Sequence, residues 1–198
     1  MTHPWDASYT ADAPPPWDIG RPQPVFVKLA HDGLLSGRVL DAGCGTGEHA
    51  LLAASRGADA LGIDLSPTAI GRARAKAAER DLPARFEVAD VLDLRPPGPG
   101  SFDVVIDSGL FHVFSDVERP RYVASLASVV RQRGTCYLMC FSDRQPGDWG
   151  PRRVRQEEIA EAFSDGWTVA SITAATCEIN PIEGVTQAQV WLAALNRS

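Results

Sequence analysis

The chain has 198 residues, 44% of them hydrophobic, with 19 Lys and Arg against 25 Asp and Glu and a net charge of −6. That length predicts one domain, residues 1–198, with a sizeable buried core, and no apolar run approaches the roughly 18 residues of a membrane span. The acidic balance without a basic run argues against a nucleic-acid partner, while the polar, Pro-rich start and four cysteines without C-x-x-C or metal spacing predict a reduced, cytoplasmic protein with no metal.

Residues 1–24 read as an N-terminal arm, ending in Pro14-Pro15-Pro16-Trp17-Asp18-Ile19-Gly20-Arg21-Pro22-Gln23-Pro24. The core, 25–198, opens on a helix over Pro24–Leu35. A strand then runs through Val39-Leu40-Asp41 into Gly43-Cys44-Gly45-Thr46-Gly47, and a helix follows over Gly47–Arg56. Glycines there allow a tight turn and a close ligand approach, and the helix aims free N–H groups at that ligand. A nucleotide-like cofactor is expected. A dinucleotide fingerprint, G-x-G-x-x-G, is not met: the third glycine comes one place early and Glu48 fills the helix-packing slot. A nucleoside triphosphate loop, G-x-x-x-x-G-K-[ST], is absent from the sequence. Asp41 would repel a pyrophosphate but suits a ligand that carries an ammonium and a sulfonium.

Ala60–Asp64 reads as the second strand, followed by Leu65 and by Ser66-Pro67, an N-cap and first-turn proline for a helix over Pro67–Arg80. That punctuation needs no acid, so Asp64 is left over for a ligand, and a carboxylate accepts from two vicinal hydroxyls. Phe86–Asp90 reads as the third strand, Arg95–Gly100 as a short surface loop, and Phe102–Asp107 as the fourth strand. A helix over Glu118–Arg131 precedes the apolar run Gly134–Phe141, a central buried strand. A helix over Gln156–Phe163 leads to two last strands, Trp167–Thr176 and Gln187–Leu195, joined by a turn around Asn180-Pro181. This alternation predicts an α/β fold, a mostly parallel sheet with helices on both faces.

The loop Asp41-x-Gly43-x-Gly45-x-Gly47, with acids at the ends of the next three strands, resembles motif I and its successors in class I S-adenosylmethionine (SAM) methyltransferases. Trp17-Asp18-Ile19-Gly20 is similar to the arm of thiopurine and halide/thiol methyltransferases. Ser108-Gly109-Leu110-Phe111-His112-Val113-Phe114 is closer to the small bacterial enzymes labelled benzoquinone or heterocyclic-compound methyltransferases. The resemblance implies a Rossmann-like fold with a seven-stranded, mostly parallel sheet and an antiparallel last strand. It implies SAM as cofactor and S-adenosylhomocysteine as product. It assigns Asp64 to the ribose hydroxyls, Asp90 and Val91 to adenine, and Asp107 to the methyl-transfer end. Trp17, Asp41, Gly43, Cys44, Gly45, Gly47 and Leu65 complete the implied cofactor site.

His112, just past the fourth strand, is the candidate acid–base group: a neutral imidazole takes a proton from a phenol or hydroxyl. The alternative is that it packs near adenine or holds its loop. Trp149 is placed to stack on a flat substrate, Arg152 or Arg153 to bind an anionic ring substituent, and Tyr9 to line the substrate from the arm. The arginines have a surface alternative, pairing with Asp143, Asp148 or Glu157. His3, His31 and His49 receive no role. The expected activity is methyl transfer to O, N or S of a small aromatic or heteroaromatic molecule, by a monomer or homodimer without membrane or nucleic-acid partners. The alternatives are a non-catalytic SAM-binding regulator and a macromolecule methyltransferase; the latter is disfavoured because Asp107-Ser108-Gly109-Leu110 stands where an amino-methylating enzyme carries Asn/Asp-Pro-Pro-Tyr. A nicotinamide-dependent oxidoreductase is opposed by the third glycine's position.

Overall fold

In the computed structural model, which describes residues 4–94 and 101–198, seven strands form one sheet in the order β3-β2-β1-β4-β5-β7-β6. The strands are β1 (Arg38–Ala42), β2 (Asp59–Asp64), β3 (Arg85–Val88), β4 (Phe102–Ser108), β5 (Val130–Phe141), β6 (Trp167–Ile182) and β7 (Val185–Arg197). β1 to β5 pair in parallel, and β7 runs antiparallel to both β5 and β6. The expected mostly parallel sheet with an antiparallel last strand is therefore present.

Successive residues along the central strands face opposite ways, as the period of two requires. Val39, Val104, Ile106, Tyr137 and Met139 pack under α2 (Pro24–His31), α3 (Glu48–Ser55) and α4 (Pro67–Glu79). Leu40, Val105, Cys136 and Leu138 face α5 (Glu118–Val129) and α6 (Gln156–Ala162). The chain winds outward from β1 to β3 and then crosses back to β4. β1 and β4 thus flank the switch point where open α/β sheets leave a crevice at their carboxyl ends.

Four features depart from expectation. A helix, α1 (Pro4–Thr10), occupies the arm and packs on α4. α5 ends at Val129 and β5 starts at Val130 with no connection, an irregularity in the β4–β5 pairing absorbing residues 131–134. β3 stops at Val88, before Asp90. The last turn lies at Glu183-Gly184, whose φ values of 50° and 82° make a two-residue hairpin turn. Asn180-Pro181 lies inside β6 at a register shift; β6 is an edge strand, where a proline leaves no ladder bond unmade. Arg95–Gly100 and His3 lie outside the described residues.

Candidate functional site

The glycine loop leaves β1 with Gly43 and Gly45 at φ 67° and 52°. Cys44 N–H donates to Ile63 O at 2.8 Å, tying the loop to the end of β2. Asp64 sits there half-buried: Oδ2 accepts from Gly45 N–H (2.9 Å) and Oδ1 from Ser66 N–H (2.8 Å). Ser66 caps α4 by accepting from Ala69 N–H at 3.0 Å, so the expected punctuation forms and aims Asp64 at the sheet's carboxyl edge. Past β3, Asp90 Oδ1 accepts from Leu92 N–H (2.9 Å) and starts a single 3-10 turn over Val91–Asp93.

These residues front one side of a cavity of about 630 Å³, within the range of roughly 300–1,000 Å³ typical of ligand sites. Its wall takes Gly43, Cys44, Gly45, Asp64, Leu65, Asp90 and Val91 from the β1–β3 side. From the β4–β6 side come Leu110, His112, Phe114, Met139, Phe141 and Trp149, and from the arm Trp5, Tyr9 and Trp17. The cavity therefore has a hydrogen-bonding half that carries Asp64 and Asp90 and a largely apolar, aromatic half whose acids are Glu118 and Glu178.

The arm is held at both ends. Asp6 Oδ1 accepts from Ser66 Oγ (2.5 Å) and Thr68 N–H (3.0 Å), and these two bonds hold its carboxyl below the ordinary range. Arg72 donates to Tyr9 O at 2.6 Å. At the other end Gln23 exchanges two amide bonds with the Glu178 backbone, both 2.8 Å. Asn180 donates to the carbonyls of Pro15 and Asp18 at 2.9 Å each, and its own N–H reaches Pro16 O. Between these anchors Trp17 Nε1–H donates to the Tyr9 hydroxyl at 3.0 Å, and Trp5 meets Trp17 edge-on at 5.9 Å. A Cβ on Gly45 would stand 2.7 Å from that hydroxyl; only glycine lets the loop and the arm come this close.

Five residues singled out in the sequence do not reach the cavity wall. Asp41 lies beneath the glycine loop, 1% exposed, where Oδ2 accepts from Ala50 N–H in α3 and Oδ1 has no partner. Burial, reinforced by Asp64 and Asp107, pushes its carboxyl up to about 7 although the Ala50 bond opposes this. Gly47 starts α3 at φ 88°, packed against Phe86 and Ala73. Asp107 is fully buried and accepts from Leu110 N–H, Phe111 N–H and the Tyr122 hydroxyl. It holds the loop after β4 from within the core. Arg152 pairs with Glu158 and Asp116 on the surface. Arg153 donates to the carbonyls of Gln145, Gly147, Trp149 and Pro151, a staple inside its own loop. None of the five fronts the cavity, against the direct ligand contact expected of them. Asp107, Arg152 and Arg153 meet protein partners, Gly47 packs at the start of α3, and Asp41 lies behind the loop with one oxygen bonded and the other unpaired.

His112 lines the cavity, but its Nδ1 accepts from Phe141 N–H at 3.0 Å. An amide can only donate, so the neutral ring carries its proton on Nε2. Burial, with the Arg153 charge nearby, lowers the imidazole to about 3. The proton-accepting role expected of His112 meets both obstacles.

Sequence reasoning passed over residues that the fold brings to the wall. Asp18, inside the quoted Trp-Asp-x-Gly motif, accepts from the Thr46 hydroxyl at 2.8 Å and joins arm to glycine loop. Glu48 is buried at the start of α3; burial opposes its charge, but Arg80 and Lys76 hold its carboxyl below the ordinary range. His49 Nε2 accepts from Gln23 N–H (3.1 Å), so it orders the arm's exit. The signal for Glu48 was present, an acid in the first turn facing Lys76 and Arg80 one helix away. Pairing across 28 or more residues needs the fold to become visible.

A family model described as a methyltransferase domain matches residues 39–134. Over 186 residues the chain is 39% identical to 2-heptyl-1-hydroxyquinolin-4(1H)-one methyltransferase of Mycobacteroides abscessus, spanning 89% of this chain and 81% of that one. The chain belongs to the SAM-dependent methyltransferases. It is also 27% identical over 191 residues to the protein named probable thiol methyltransferase 2 of Arabidopsis thaliana, with 94% and 83% of the two chains covered. A solved structure from work on the conversion of a disulfide bond into a thioacetal group during echinomycin biosynthesis superposes with a TM-score of 0.89. That structure is 38% identical and spans 100% of this methyltransferase and 92% of its own chain.

The site fits the methyl donor of this family. The half-buried Asp64 and the exposed Asp90 give the β1–β3 half a negative field and acceptor atoms, which suit ribose hydroxyls, an adenine amino group and an ammonium. A pyrophosphate would meet the same acids as repulsion. The enzyme's cofactor is SAM.

Proposed function

We propose that this methyltransferase methylates O, N or S of a small aromatic or heteroaromatic molecule, and that residues 1–24 and 25–198 act together as arm and core of one domain. The observation that carries the reading is the division of a single cavity into a hydrogen-bonding half with Asp64 and Asp90 at the ends of β1–β3 and a largely apolar, aromatic half at the ends of β4–β6. Two of the relatives bear names that specify a hydroxyquinolinone and a thiol as their acceptors, which supports a small acceptor here.

In this reading Asp64 binds the ribose hydroxyls, Asp90 the adenine amino group, and Leu65 and Val91 the ring. The Gly43-Cys44-Gly45 backbone holds the methionyl end, and Trp17 faces it, a ring face being attractive to a sulfonium. Asp41, Gly47 and Asp107 act from behind, fixing the loops that carry those contacts. SAM supplies a methyl group made electrophilic by its sulfonium. The protein's own part is positioning and exclusion of water. Phe114, Met139 and Phe141 form an apolar floor, Trp149 stacks on the flat acceptor, and the arm with Tyr9 closes over both ligands. In-line displacement draws much of its rate from such alignment.

We further place the enzyme in the cytoplasm as a monomer or homodimer. All four cysteines are unpaired and buried, and no described helix is long and apolar enough to cross a membrane. The test is an assay with methyl-labelled SAM against phenols, quinols, thiols and N-heterocycles. Label in at least one small-molecule class is the expected result; label only in protein or RNA from an extract would overturn the small-acceptor reading.

A further inference from the structure

Among the described residues, the imidazole and the carboxylates on the aromatic half of the cavity each already accept from a protein donor. The titratable wall residues on the β4–β6 side are His112, Glu118, Cys140, Cys177 and Glu178. On the arm, Tyr9 accepts from Trp17 Nε1–H and Asp18 from the Thr46 hydroxyl. Glu118 accepts from Ser115 N–H and Oγ, at 2.9 and 2.7 Å, and these bonds hold its carboxyl low. Glu178 is paired with Arg21 at 3.0 Å. Burial pushes the thiol of Cys140 well up and that of Cys177 up to about 11.

His112 is the informative member. Its Nδ1 is taken by Phe141 N–H, and the ring stands edge-on to the Phe141 side chain, centroids 5.2 Å apart. Turning the ring over would replace Nδ1 by a carbon and leave a buried amide unpaired, a cost of about 1–3 kcal/mol. The orientation is therefore fixed, and so is the tautomer. The Nε2 edge lies beside Gly109, where a Cβ position would be 3.6 Å from Nε2. Gly109 and Leu110 are themselves wall residues. Behind the ring, the Arg153 guanidinium sits over Phe141 at 5.3 Å, and its positive field reaches His112. A fixed N–H backed by a cation is a receptor for negative charge.

We propose that His112 is a fixed Nε2–H donor to the methyl acceptor, and that this acceptor is an acidic O–H or S–H compound bound as its anion. The inference rests on the small-acceptor reading above and narrows it. The acceptor's proton leaves to solvent before binding. A lone pair on the anionic oxygen or sulfur then forms the bond to the methyl carbon, and the carbon–sulfur pair of the sulfonium returns to sulfur as a thioether. Two charges cancel, and no proton remains for the protein to remove. The arginine that the sequence offered for an anionic substituent acts here through its field.

Two measurements on the intact protein test this. Nitrogen-15 NMR of the histidine side chains at neutral pH should show His112 with a bare Nδ1 and a protonated Nε2; the reverse tautomer overturns the donor assignment whatever the substrate is. Optical titration of a nitrophenol added to the S-adenosylhomocysteine complex should show it bound as the coloured phenolate below its solution pKa. Binding as the neutral phenol, or no binding to that complex, overturns the acidic-acceptor assignment. S-adenosylhomocysteine binding is measured in the same sample, so failure of the cofactor site is separated from failure of the donor. His112→Phe should weaken phenolate binding roughly 10- to 150-fold, the range for a hydrogen bond to a charged group, while His112→Gln, which keeps an N–H donor, should lose less. Equal losses would assign His112 to packing and overturn the proposal.

Discussion

Asp64 and Asp107 both end a strand with an acid, yet they occupy opposite environments. Asp64 is half-buried at the cavity with two backbone donors. Asp107 is enclosed, and burial pushes its carboxyl up to about 6 although Leu110, Tyr122 and Phe111 all donate to it. The sequence distinguished Asp64 because Ser66 and Pro67 already supplied the helix start, leaving the acid unexplained. It placed Asp107 beside the ligand because nothing local reveals that Tyr122, fifteen residues on, turns its hydroxyl back to the carboxylate at 2.8 Å. Tyr122→Phe removes that donor from a buried carboxylate and should lower stability by about 1–3 kcal/mol, read from the urea midpoint. S-adenosylhomocysteine affinity should stay within about twofold if Asp107 acts only through the loop. A stability change below about 0.5 kcal/mol would show that the remaining backbone donors suffice.

At the scale of elements, the strands and helices of the core were legible because apolar runs, glycines and the Ser66-Pro67 start agree with one another. What escaped was set by tertiary partners. Asn180-Pro181 is a strong turn signal, but β6 continues through it because the arm, not another strand, takes the Asn180 amide. The true turn, Glu183-Gly184, carries a glutamate where glycine or asparagine is usual. Asn180→Ala removes both side-chain bonds to the arm and should weaken S-adenosylhomocysteine binding about tenfold, with faster amide exchange over residues 15–23. Unchanged affinity would mean that the arm contributes nothing to ligand retention. Gly47 starts α3 at φ 88°, and a Cβ there would lie 2.7 Å from Phe86 and 2.8 Å from Ala73. Gly47→Ala should therefore cost about 2–4 kcal/mol, measured by denaturant unfolding; a neutral substitution would show that Phe86 can move aside.

For the whole molecule, four groups titrate against one another, three of them buried and the fourth, His49, half-buried. Asp41 and Asp107, pushed up by burial to about 7 and about 6, hold protons in the folded state that the unfolded chain releases near pH 4. Their contribution to stability therefore falls as pH rises from about 4 to those values. His49 and His112, lowered by burial to about 4 and about 3, are deprotonated in the folded state where the unfolded chain is not. Their contribution is complete above about 6.5 and is lost as pH falls toward 4 and 3. Between about pH 4 and 6 the two pairs oppose, so stability should vary little. Asp41→Asn removes one side and keeps an acceptor for Ala50, so the loss on acidification from pH 6 to 5 should steepen by up to about 1.4 kcal/mol per pH unit; an unchanged slope would mean that Asp41 is ionised in the folded protein. None of this coupling is visible in the sequence, which shows acids and histidines but not their desolvation. The placement of the ligand site is a separate matter, since the glycine loop and Asp64 sit where the sequence put them, at the carboxyl ends of β1 and β2. The most direct test is calorimetric titration of wild type and Asp64→Ala with S-adenosylhomocysteine. Micromolar binding to wild type and at least tenfold weaker binding to the variant are predicted; equal affinities would contradict the assignment of the Asp64 half of this cavity to the cofactor.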